Sequence, residues 1–84
     1  PFGSLVELGI IKPGTTIFDN KKKISAKIMA DGSIKHDQTE GSIHKVAAAI
    51  LGAESCNGWT YWHYNLNGLA VPIDNLRQRL INKS

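Results

Sequence analysis

Residues 40–64, EGSIHKVAAAILGAESCNGWTYWHY, restrict the possible folds more than any other stretch of the chain. Ile43, Val46, Ala47, Ile50 and Leu51 recur at i, i+3, i+4, i+7 and i+8, which gives one side of a helix a complete apolar face. Ser42 supplies an oxygen for the first unpaired N–H groups, so it reads as the N-cap. The Ala47-Ala48-Ala49 run favours helix and close packing. Gly52 then stops the helix. A polar loop, Ser55-Cys56-Asn57-Gly58, leads into a dense aromatic run. Both tryptophans, both tyrosines and two of the three histidines lie in this one stretch, so the remainder of the chain reads as its support.

The flanking segments read mostly as strands. Ser4 to Ile11 is expected as a short helix, with Ser4 as N-cap, Glu7 at the capping-box spacing and a Leu5, Leu8, Ile11 stripe, or alternatively Val6 and Ile10. Lys12-Pro13-Gly14 ends it. Thr15 to Phe18 is β-branched and aromatic, hence a strand. Ile24 to Ala30 alternates apolar and polar residues, as a half-buried strand does. Asp31-Gly32 is a hairpin turn, Ser33 to His36 a third strand, and 37–41 a loop. The aromatic run, 59–64, is expected as a fourth strand. Asn67-Gly68 signals another turn, after which Leu69 to Val71 can pair back. A last helix starts at Pro72 or Asp74 with Ile73, Leu76 and Leu80 inward, and Arg77, Arg79 and Lys83 toward the end its dipole favours for cations. The order α-β-β-β-α-β-α predicts an α+β fold, a small antiparallel sheet with about three short helices. Its expected core is Leu8, Ile17, Ile24, Ile28, Val46, Ile50, Trp62, Leu76 and Leu80.

Eighty-four residues build one core and leave no room for a second. Cys56 is the only cysteine, which excludes a disulfide framework and suits a reducing, cytosolic setting. No apolar run approaches the roughly 20 residues of a membrane span. The chain begins at Pro1 without a methionine and reads as a piece of a longer protein. Ten basic residues against seven acidic ones give a net charge of +3, which permits an anionic partner and equally fits a plain solvated surface.

The chemistry-bearing residues follow no metal or nucleophile template. The histidines and Cys56 form neither a Cys-x-x-Cys pair nor a His-x-x-x-His helix pair, and Cys56 reads as a small buried thiol. No phosphate-binding glycine loop and no nucleophile elbow occur. Gly41-Ser42 opens a helix, and a helix N-terminus attracts anions. His44 and Lys45 follow in its first turn, where the dipole prefers acids. Basic side chains there make sense if a phosphate binds. Read as a strand, the aromatic run is aromatic on both faces, where one apolar face would suffice: Trp59, Tyr61 and His63 share one side, Thr60, Trp62 and Tyr64 the other. Either the last helix covers the second face, or that face meets a partner.

Through GSIHKVAAAI, SCNGWTYWH and PIDNLR, with LGIIKPGTTI and MADGSIK before them, the chain resembles the C-terminal RAMA module of bacterial cell-cycle-type DNA adenine methyltransferases. The resemblance covers nearly the whole chain, and Gly-Ser-x-His with Cys-Asn-Gly-Trp-Thr-x-Trp-His at this spacing is a specific combination. It implies a single non-catalytic DNA-binding domain over 1–84, the C-terminal piece of an adenine-N6 methyltransferase of the GANTC type. It also implies a catalytic methyltransferase domain in the same chain, using S-adenosylmethionine. The Asp-Pro-Pro-Tyr and cofactor glycine motifs of that domain are absent here, so the fragment itself is expected to bind no cofactor. Ser42, His44, Asn57, Trp59 and Thr60 match DNA-facing positions, to which the helix-end argument adds Lys45. Asn57 can pair with an adenine edge and Trp59 can stack on a base. The resemblance extends to RAMA modules in other hosts, such as restriction nucleases or modified-base readers, and a protein-docking module is a further alternative. The fragment is expected to be monomeric, bacterial, cytoplasmic and associated with the nucleoid through DNA. Of the two tryptophans, Trp62 is expected to be buried and Trp59 partly exposed beside the Ser42 helix end.

Overall fold

A computed structural model describes the backbone of residues 2–82 and the side chains of residues 2–79. Six antiparallel strands form one sheet in the order β4-β3-β2-β1-β5-β6. They are β1 (Thr16–Phe18), β2 (Ser25–Ile28), β3 (Ile34–His36), β4 (Thr39–Gly41), β5 (His63–Leu66) and β6 (Leu69–Pro72). The helices are α1 (Phe2–Glu7), α2 (Ile43–Leu51), α3 (Gly58–Tyr61) and α4 (Asp74–Asn82). The α+β class follows as expected. The inner side of the sheet carries Ile17, Ala26, Ile28 and Ile34, all buried. The solvent side carries Thr16, Ser25, Lys27, Lys35 and Glu40, all exposed. No helix among the described residues is long and apolar enough to cross a membrane.

The α2 helix forms as its sequence dictates. Ser42 is extended and accepts from the Lys45 N–H at 3.0 Å, and Gly52 closes the helix in the left-handed conformation at φ 68°. Three other elements depart from expectation. The first helix starts at Phe2, so Ser4 lies inside it, and it ends at Glu7 because Gly9 turns left-handed at φ 73°. That early turn leaves Leu8 63% exposed while Phe2, Leu5, Val6 and Ile11 enter the core. The expected 37–41 loop holds β4, joined to β3 by a two-residue turn with His36 opposite Thr39. Asp37 takes positive φ there without a glycine, which its short polar side chain tolerates. The expected fourth strand starts late, at His63, since Gly58–Tyr61 is one helical turn. The segment Leu69–Pro72 pairs back on β5 as expected, through the Asn67-Gly68 turn with both residues at positive φ.

Of the expected core, Ile17, Ile28, Val46, Trp62 and Leu76 are buried, and Ile24 and Ile50 pack partly buried against them. Leu80 and Lys83 lie outside the described side chains. Ile34, Ile43, Ala47, Trp59 and Ile73 complete the cluster. The two halves of the sheet meet through the single pair Phe18 opposite His63. Their union therefore depends on packing beneath the sheet, where Trp62 is fully buried.

Candidate functional site

The loop before α3 is held against the first turn of α2. Asn57 is extended and caps α3, its Oδ1 accepting from the Trp59 N–H at 3.0 Å. Its carbonyl accepts from the Tyr61 N–H at 3.1 Å and the Thr60 hydroxyl at 3.2 Å. This local bonding outweighs the strand preference of the aromatic residues that follow. The Gly58 N–H then donates to His44 Nδ1 at 2.9 Å. Trp62 Nε1–H donates to the Ile43 carbonyl at 3.0 Å from the other side. A Cβ on Gly58 would lie 2.6 Å from the Ile43 carbonyl carbon and 2.7 Å from its oxygen. Only glycine allows this approach.

Because His44 Nδ1 accepts this hydrogen bond, the neutral ring carries its hydrogen on Nε2. The His44 side chain is exposed, so that N–H is a free donor at the surface. Asn57 is also exposed, with its NH₂ free and its oxygen already accepting one bond. Lys45 stands exposed one residue beyond His44, and α2 has no acidic residue in its first turn. The α2 N-terminus thus combines a helix dipole, an imidazole N–H, an amide and an ammonium, all suited to hydrogen-bond acceptors bearing negative charge.

The six sequence-derived positions do not share one pocket. Ser42, His44 and Lys45 line a concavity of about 520 Å³ along α2, closed by the loop that carries Glu54 and Cys56. Ser42, His44 and Trp59 border a hollow of about 210 Å³ with Phe2 and Gly32. Thr60 belongs to a third hollow, of about 410 Å³, with Lys21, Leu51, Tyr61 and His63. The α2 end is therefore a ridge between concavities. Trp59 departs from its expected exposure: it is only 7% exposed. Phe2 meets its ring at a 65° interplanar angle, and the Arg77 guanidinium lies 4.6 Å from its centroid. Arg77 in turn pairs with Asp74 at 2.5 Å.

Arg77 and Tyr61 are contributors that sequence reasoning did not place. Arg77 sits in a helical charge pattern that gives no sign of a tryptophan beneath it. Tyr61 lines the third hollow, and burial raises its phenol above the ordinary range, helped by the negative charge of Asp19 and Cys56. Among the described residues, no three His, Cys, Asp or Glu side chains converge on a metal-sized site.

Fold and ridge together define a small α+β module in which a loop, a helix end and a one-turn helix interlock through the close approach of Gly58 to Ile43. The family model described as Restriction Enzyme Adenine Methylase Associated, RAMA, matches residues 1–84, and the chain belongs to that family. It is also 30% identical over 83 residues to a protein described as type II methyltransferase M.HinfI, from Haemophilus influenzae. That match covers 99% of this chain and 23% of the relative, so the chain spans about a quarter of the length of the curated relative it matches.

Proposed function

We propose that this chain is the DNA-binding and recognition module of a site-specific DNA adenine-N6 methyltransferase of the GANTC type, non-catalytic by itself. In this reading the methyl transfer, and the S-adenosylmethionine it uses, belong to a catalytic domain elsewhere in the same chain. Likeness to part of a methyltransferase supports such a domain as its partner. The protein then acts in the bacterial cytoplasm, at the nucleoid.

One observation carries the reading. His44, Lys45 and Asn57 present free donors at the exposed α2 end while their remaining polar atoms or neighbours lock the joint. Such donors suit phosphate oxygens and the acceptors on base edges. Trp59, closed over by Phe2 and Arg77, contributes by holding this surface rather than by stacking on a base. Fluorescence-anisotropy titration of a labelled duplex tests the reading, beside a protein-only pull-down with the catalytic domain. Saturable binding that weakens steeply with salt supports it. Capture of the catalytic domain without any DNA affinity favours a docking module instead. The exposed Leu8 and Ile10, at 63% and 39%, are the observation on that side.

A further inference from the structure

Basic charge is concentrated away from the α2 end. Residues 12–27 hold Lys12, Lys21, Lys22, Lys23 and Lys27, five of the ten basic residues, against one acid, Asp19. They lie on and beside the β1–β2 hairpin, and β3 adds Lys35. Asp19 is turned back on its own loop, where Oδ1 accepts from the N–H groups of Lys23 at 2.7 Å and Ile24 at 3.0 Å. Lys27 stands directly opposite Lys35 across the β2–β3 ladder, and both are exposed. Like charges in that position destabilise a sheet. Among the described residues Arg77 pairs with Asp74, and neither of these lysines joins an ion pair. Glu40, opposite Lys35 on β4, offsets one charge of the row and leaves Lys27 uncompensated. Thr16, opposite Lys27 on β1, adds an exposed hydroxyl to the same line.

We propose that the solvent face of β1–β3 is a second nucleic-acid surface, at which Lys27 and Lys35, with Lys21–Lys23 beside them, hold the phosphate backbone of DNA without reading sequence. The proposal rests on the DNA-binding reading above and adds a location for its electrostatic part. A phosphate row removes the like-charge opposition that the register imposes, and released counterions make such contacts salt-dependent. The α2 end, whose concavity is lined by Glu54 as well as Lys45, carries fewer cations than this face and suits contacts of shape and hydrogen bonding.

The test is a salt series of anisotropy titrations of the chain against a short labelled DNA duplex, repeated with the double variant Lys27→Gln/Lys35→Gln and with Lys27→Arg/Lys35→Arg. The glutamine variant should bind more weakly, with the slope of log K against log salt shallower by about 1.8, near 0.9 for each lost contact. The arginine variant should keep both affinity and slope. Thermal melting of the glutamine variant should match or exceed the unaltered chain, since a repulsive pair is gone. An unchanged slope in the glutamine variant overturns this proposal and leaves DNA binding intact. Absence of binding by the unaltered chain at low salt overturns both.

Discussion

Replacing Gly58 by alanine should destabilise the domain, although helix propensity alone predicts the opposite. Gly58 opens α3, where alanine is otherwise better by about 0.5–1 kcal/mol. The added methyl carbon, however, would sit 2.6, 2.7 and 2.8 Å from the carbonyl carbon, oxygen and Cβ of Ile43. Ordinary carbon contacts lie near 3.5–4.0 Å, so α3 and α2 must separate by about 0.8 Å or more. The neighbours are mostly backbone and cannot rotate aside. Overpacking of this kind costs about 1–3 kcal/mol. Separation also weakens two bonds across the same joint, Gly58 N–H to His44 Nδ1 and Trp62 Nε1–H to the Ile43 carbonyl. Each contributes about 1 kcal/mol. The expected loss is therefore about 3 kcal/mol or more, a fall in Tm of roughly 10–20 °C for a domain of this size. Circular-dichroism melting measures it. A double-mutant cycle with His44→Ala should give a combined loss smaller than the sum, because both changes break one contact. A Gly58→Ala chain that melts at or above the unaltered temperature would refute the steric reasoning.

Burial makes the same test possible at the tryptophans. Trp59→Ala should cost about 3–5 kcal/mol, since the ring is enclosed by Phe2 and Arg77, and an unchanged melting temperature would contradict its placement. Trp62→Phe should lose about 1–3 kcal/mol beyond any packing change by leaving the Ile43 carbonyl without its indole donor, and denaturant unfolding would show it. Ser42→Ala should cost about 1 kcal/mol and Ser42→Asp much less, because aspartate also caps; equal losses in the two would remove the cap from the explanation. Tyr61 has its pKa raised above 10.0, chiefly by burial. Above pH 10.0 the unfolded chain releases that proton while the folded chain keeps it, so stability falls as pH rises through this window. Tyr61→Phe should lose less stability there than the unaltered chain, and parallel alkaline melting curves would sink the assignment.

Sequence patterns gave the extent of α2 because cap, apolar stripe and terminating glycine agree between Ser42 and Gly52, although Leu51, expected on its apolar face, lies 57% exposed at the helix end and Ala48 is buried instead. The β2–β3 and β5–β6 turns were legible for the same reason, through Asp31-Gly32 and Asn67-Gly68. The β3–β4 turn was hidden because Asp37 adopts positive φ without a glycine to mark it. The α3 turn was hidden because three aromatics and a threonine argue for strand, whereas Asn57 caps the segment with its own side chain. Leu8 was misplaced by one early turn at Gly9. At the site, Ser42, His44 and Asn57 could be named from the chain. Their mutual arrangement could not. The bond between residues 44 and 58 and that between 43 and 62 depend on how α2 settles on the loop, and no periodicity encodes it. The seat of Arg77 over Trp59 is of the same kind.

Amide chemical-shift mapping during titration with a DNA duplex tests the functional account most directly. The account predicts saturable shifts at Ser42, His44, Lys45, Asn57 and Thr60, with a second set at Lys27 and Lys35 that fades first as salt is raised. Shifts confined to the apolar turn at Leu8 and Ile10, or none at low salt, would contradict it.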